Sequence, residues 1–148
     1  MRCERLRAVQ FAAAIALAAS TAFAAACGGS NSSSNVTAPT GTVTTDTFNG
    51  TVQIGGTSVN NFTVTVAGSV SVTLVSTAPQ TTLTMGLGIG NPSSTGTCSF
   101  LSGGTTTTAA MSTAQLTGTL SAGSYCVAVV DVGNAAGPIT YTVTVAHT

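Results

Sequence analysis

SAGSYCVAVVDVGNAAGPITYTVTV, residues 121–145, decides the fold. In its second half Ile139, Tyr141, Val143 and Val145 fall on one parity, and Thr140, Thr142 and Thr144 on the other. A period of two with β-branched residues on both faces predicts a strand with one face on a core and one in water. In the first half Tyr125, Val127 and Val129 share a face. The other face carries Cys126, Ala128 and Val130, so this strand is apolar on both sides and belongs in the centre of a sheet. Between the two runs, residues 131–138 hold two Gly, an Asn and a Pro, which is turn chemistry. Pro138 has no N–H to donate and should sit at the entrance of the second strand. Read locally, the stretch is a β-hairpin.

The same alternation recurs outward from it. Phe62, Val64 and Val66 point inward against Thr63 and Thr65, and Ala67-Gly68-Ser69 makes a tight connection. Val70, Val72 and Leu74 then alternate with Ser71 and Thr73 until Pro79 breaks the run. Leu83, Met85, Leu87 and Ile89 alternate with Thr84, Gly86 and Gly88. Residues 91–96 read as a loop, 98–101 as a short pairing segment, and Gly103-Gly104 with residues 105–108 as a second loop. Leu116 and Leu120 precede the central strand. Nearer the N-terminus, residues 42–45 suggest a short edge strand, and Phe48, Val52 and Ile54 share a parity interrupted by Gly50. Residues 109–115 have room for one helical turn. Short strands punctuated by turns about every 8–12 residues predict an all-β fold, an antiparallel β-sandwich over residues 46–148.

Composition narrows the function. Of 148 residues, three are basic and three acidic. Arg2, Arg5 and Arg7 lie at the extreme N-terminus, and the only acids beyond Glu4 are Asp46 and Asp131. Without basic groups to displace counterions from phosphate, nucleic acid is not an expected partner, and neither is electrostatic adhesion to anionic lipid. The absence of Trp disfavours a stacking platform for sugar rings or bases.

Residues 1–26 begin with a basic stretch, continue as an uncharged Ala-rich run and end in small residues, the pattern of a secretory signal peptide. The run is about long enough to span a bilayer, but its Ala content makes it weakly hydrophobic. Ala24-Ala25-Ala26-Cys27-Gly28 resembles the lipobox of bacterial lipoproteins, with Ala24 where that family usually has Leu. The resemblance implies lipidation of Cys27 after cleavage, whereas Ala22-Phe23-Ala24 offers an ordinary signal peptidase an alternative site. GGSNSSSN, residues 28–35, is a flexible polar tether. The expected organisation is signal peptide 1–26, lipid site and tether 27–45, and sandwich 46–148. The expected location is the cell envelope, with the lipid as the membrane contact.

With Cys3 in the signal and Cys27 at the lipid site, Cys98 and Cys126 remain, an even pair that reads as a disulfide in an exported domain. Closing that loop is worth about 3–4 kcal/mol in the chain-entropy model. Two thiols without an adjacent His or acid do not supply the four ligands of a zinc site, so no metal or other cofactor is expected.

The order of features resembles a known module. Phe62–Val66, Ala67-Gly68, residues 70–74, the Leu alternation 83–89, Leu116 and Leu120, residues 122–129 and 141–145 follow the succession of the bacterial pre-peptidase C-terminal domain over roughly residues 45–146. That resemblance implies a non-catalytic, jelly-roll-like β-sandwich, usually appended to exported enzymes. Related collagen-binding domains hold calcium with clustered acids and carry an aromatic face. With two separated Asp here, neither property is carried over.

A hydrolase would need a nucleophile, a base and an orienting group. His147 is the only His and lies one residue from the end, where chains fray; it is expected to cap the last strand or to be exposed. Asp131 opens a Gly-Asn turn and is expected to bond backbone there. Asp46 stands isolated near the tether. Asn31, Asn35, Asn49 and Asn61 begin N-x-S/T triplets that a Ser/Thr-rich composition produces by chance. The sequence thus implies no catalytic residue. It points to a surface-anchored structural or binding module for an extracellular polymer or protein, or alternatively to an accessory subunit of an exported hydrolase or protease.

Overall fold

The computed structural model describes residues 41–148. The expected signal peptide, Cys27 and the tether to residue 40 lie outside the described residues. Eight strands follow in order: β1 (Thr44–Val52), β2 (Thr57–Val64), β3 (Gly68–Ala78), β4 (Met85–Pro92), β5 (Cys98–Thr108), β6 (Leu116–Leu120), β7 (Gly123–Asp131) and β8 (Ile139–His147). They form two four-stranded antiparallel sheets, β1-β8-β3-β6 and β2-β7-β4-β5. This is the jelly-roll arrangement, in which strands distant in sequence lie side by side in two facing sheets.

The alternation in β8 orients it as expected. Ile139, Tyr141, Val143 and Val145 are buried, while Thr140 is exposed and Thr142 and Thr144 half-exposed. Pro138 stands immediately before the strand. Strand β7 is central in its sheet, and Cys126, Val127, Ala128 and Val129 are completely buried. The two are not a hairpin, however. β7 pairs with β2 and β4, β8 pairs with β1 and β3, and the segment between them carries the chain from one sheet to the other. Both strands turn an apolar face to the same interior layer. Alternation specifies that face but not which neighbour supplies the hydrogen bonds.

Other boundaries differ for similar reasons. Strand β1 extends from Thr44 to Val52 rather than stopping at residue 45, and Ile54 is exposed in the Gln53–Gly56 turn instead of sharing the core. Gly50 does not interrupt β1. A Cβ there would stand 2.6 Å from the Tyr141 hydroxyl, so the glycine makes room for that side chain. Residues 105–108 are strand rather than loop, pairing with Met85–Gly88. The register jumps so that Gly88 opposes Thr105 while Gly90 opposes Phe100, and residues 101–104 bulge from the edge. Gly103 takes a φ of 71° inside this bulge, a left-handed conformation that glycine adopts without strain. Residues 109–115 form no helix. Met111 N–H donates to the Leu74 carbonyl and Gln115 N–H to that of Val72, and the Gln115 Oε1 accepts from Leu74 N–H at 2.7 Å. The segment thus satisfies the β3 edge beyond the end of β6.

Cys98 and Cys126 are joined by a disulfide, with Cα atoms 5.8 Å apart, inside the bridging range. It fastens the start of β5 to β7, at the end of β4 where the β4–β7 pairing stops at Gly90–Cys126. Replacing both cysteines by Ala should cost about 2–5 kcal/mol of unfolding free energy. Urea titration of the oxidised wild type and the double variant measures it, and coincident midpoints would mean that β5 is held by pairing alone.

Candidate functional site

Inward-facing residues of the second sheet are large: Met85, Leu87 and Ile89 on β4, Val127 and Val129 on β7, and Phe62 and Val64 on β2. Its outward residues are small. On β4 they are Gly86, Gly88 and Gly90, and beside them on β7 stand Cys126, Ala128 and Val130. This leaves a trough along the outer surface. Phe100, from β5, lies across it: a Cβ on Gly88 would come within 2.4 Å of the Phe100 ring. The ring remains 46% exposed. Two shallow depressions of about 320 Å³ flank it, one floored by Gly86 and walled by Thr105, Thr106 and Val130, the other bounded by Thr57, Val59, Thr97 and Cys98. Val132, 48% exposed, extends the apolar strip past Gly86. The lining of both depressions contains no charged side chain. An exposed aromatic on an uncharged apolar strip with hydroxyls at its rim can stack on or bury a neutral partner group.

The titratable residues lie at the two ends of the sandwich. At one end His147 is inside the core, 5% exposed, with its ring 5.5 Å from that of Phe62. Its Nε2 is 3.1 Å from Asp46 Oδ2. His147, the last residue of β8, is buried rather than exposed, and Asp46 is not isolated. The reason is β1–β8 pairing, which sets Thr44 opposite His147 and Asp46 opposite Val145. A carboxylate only accepts, so Nε2 carries the proton. Nδ1 is buried with no partner among the described residues. The pair joins an edge strand to a central one, and among the described residues no hydroxyl or thiol bonds to either ring nitrogen.

At the other end Asp131, 6% exposed, makes the turn bond expected of it, and more. Its Oδ2 accepts from Gly55 N–H at 2.7 Å, and its Oδ1 from Gly133, Asn134 and Ala135 N–H at 3.0–3.2 Å. The Gly55 bond above all, then those from Gly133, Ala135 and Asn134, hold the carboxyl below the ordinary carboxylate range, against the opposing effect of burial. Both oxygens are committed to backbone.

Three further side chains form a polar link through the core that the sequence did not signal. The Tyr141 hydroxyl, on β8, lies 2.8 Å from Ser58 Oγ and accepts from Asn60 Nδ2 at 2.8 Å, both on β2 of the facing sheet. Among the described residues no three His, Cys, Asp or Glu side chains gather as a metal site. Cys27 lies outside the described residues, and Cys98 and Cys126 are consumed by their disulfide. No family model and no curated protein matches the chain.

The Asp131 geometry sets a pH dependence. A carboxyl whose pKa is lowered by folding is ionised in the native state where the unfolded chain already binds a proton. Its stabilisation is therefore complete above about pH 4 and is lost as pH falls below that. Asp131→Asn should lower the melting temperature at pH 7, and the gap from wild type should narrow toward pH 3. A gap independent of pH would show that the bonds, rather than the charge, matter.

Proposed function

We propose that this protein is a non-catalytic β-sandwich lipoprotein, anchored through Cys27, that works as a binding or structural module at the cell envelope. The observation that carries the binding role is Phe100: a half-exposed aromatic held on a glycine trough, in a face free of charge. Burying apolar surface there requires no ion pairing, which fits a domain without a single Lys or Arg beyond residue 7. The partner matched to such a face is neutral: an extracellular polymer or an uncharged protein surface. The lipobox-like stretch and the polar tether that precede β1 support presentation of the domain from a membrane. The engagement of Asp131 with backbone, and of His147 with Asp46, is consistent with structural roles for these groups. The resemblance to the pre-peptidase C-terminal domain agrees with a non-catalytic role, and extends to the alternative of an accessory subunit for an exported hydrolase.

Affinity purification of the full chain from native membranes tests both parts. Cys27→Ala should move the protein to the soluble fraction, and the wild-type mature chain should begin at an acylated Cys27. A mature chain that begins at Ala25 without acylation would overturn the anchor. A specific co-purifying polymer or protein should be retained by wild type and weakened roughly thirtyfold in Phe100→Ala, the loss of one aromatic anchor worth about 2 kcal/mol. An unchanged affinity in a folded Phe100→Ala variant would remove this face from consideration, and a hydrolase among the captured proteins would favour the accessory role.

A further inference from the structure

A second glycine position does the opposite of Gly88. On β6, Leu116, Gly118 and Leu120 share the parity that faces the interior. Leu120 is buried and Leu116 packs on the core, so alternation calls for an apolar side chain between them. Gly118 supplies none. A Cβ built there meets only one atom, Val70 Cγ1 at 4.0 Å, and its backbone lies outside the left-handed region. Neither sterics nor conformation requires a glycine at this place. What its absence of side chain leaves is a cavity of about 120 Å³ between β6 and the β5 bulge. Its walls are Val70, Val72, Ile89, Leu101, Leu116 and Leu120. It reaches the surface at the open edge of the sandwich, where Gly118 and Gly103 are exposed.

We infer that this cavity is a binding site for the end of a linear aliphatic chain carrying an uncharged head. Three observations choose that ligand. The lining is aliphatic throughout its depth, with no aromatic ring to stack on. The volume is below the about 150 Å³ of a dry cavity that holds benzene, so a narrow chain fits better than a ring. Among the described residues no Lys, Arg, Asp, Glu or His borders the mouth; Ser102, Thr117 and Thr119 do, so a carboxylate or ammonium drawn to this edge would lose water and gain no counter-charge. The bulge 101–104 that forms one wall contains two glycines and departs from regular pairing with β4. This site is on the sandwich edge, separate from the Phe100 face, and stands whether or not that face binds.

The test uses the purified full chain with methyl-labelled Val, Leu and Ile, titrated with 1-octanol and with octanoate and followed by NMR. Octanol should give saturable shifts at Val70, Val72, Leu101, Leu116 and Leu120 methyls, and octanoate should bind at least roughly tenfold more weakly. Gly118→Val, which fills the cavity, should weaken octanol roughly tenfold or more while raising the melting temperature by a few degrees. If that variant fails to fold, Gly118→Ala, one methyl in open space, should weaken octanol by a smaller, measurable factor. Absence of saturable shifts up to the solubility of octanol would overturn the inference. So would shifts centred instead on Val59, Val130 and Val132, or octanol affinity unchanged in a folded Gly118 variant.

Discussion

A buried carboxylate with no cation near it holds the two sheets in their relation. Asp131 closes β7, the last strand of one sheet, and the residues after it lead to β8 in the other. Beyond Arg7 the chain has no Lys or Arg, so an anion there is satisfied by uncharged donors, here backbone N–H groups. Four are supplied: one by the β1–β2 turn and three by the crossing segment. Asp131 N–H in turn donates to the Gly56 carbonyl, and Asn134 Nδ2 to that of Thr84 before β4. One side chain thereby fixes two of the connections that pass between the sheets at that end, and through Asn134 the same turn reaches a third, the β3–β4 connection. The inner faces of β7 and β8 can meet only if this crossing has a defined length and direction.

Within the sandwich, Tyr141 and His147 carry polar groups into the apolar layer where a partner from another strand meets them. Tyr141 carries its hydroxyl from one sheet to Ser58 and Asn60 of the other, and Gly50 gives it space. A hydroxyl left unmet at that depth would cost about 1–3 kcal/mol, so the group that permits burial of the large ring also fixes the alignment of the sheets. At the opposite end His147 closes the layer against Phe62 and is tied to Asp46. Both devices join strands that are far apart in the chain, as a jelly roll requires.

The two-residue period revealed which side of each strand is buried, because that property is local: β3, β4, β7 and β8 could be read from their own residues. The pairing of Cys98 with Cys126 followed from counting, and Asp131 from the turn beside it. Pairing partners were not legible, since a strand with an apolar face serves equally in a hairpin or across a sandwich. The same ambiguity hid residues 105–108, whose Thr are good strand formers but follow a Gly pair that reads as a turn. Asp46 and His147 are 101 residues apart in sequence and are brought together only by β1–β8 pairing. The Phe100 face was hidden for a different reason: one aromatic in sequence carries no sign of whether it will fall into the core or onto a neighbouring strand's glycines.

Glycine in a strand weakens it, having no side chain to pack and more freedom to lose, so a glycine retained at a position with ordinary backbone geometry calls for a local cause. Three such residues have separate causes. Gly50 yields its volume to Tyr141 of the paired strand β8, which tightens the core. Gly88 yields it to Phe100, which brings an aromatic down onto the outer face and leaves half of it in water. Gly118 yields it to nothing in the protein. The first case is explained by packing alone. The second trades a buried ring for an exposed one and thereby makes a surface, and the third leaves apolar walls uncovered. In a domain nearly devoid of charge, recognition cannot be written in ion pairs. At Gly88 and Gly118 the missing side-chain volume is not filled from the interior, and each leaves apolar surface open, at the Phe100 face and at the β6 cavity proposed above as binding sites.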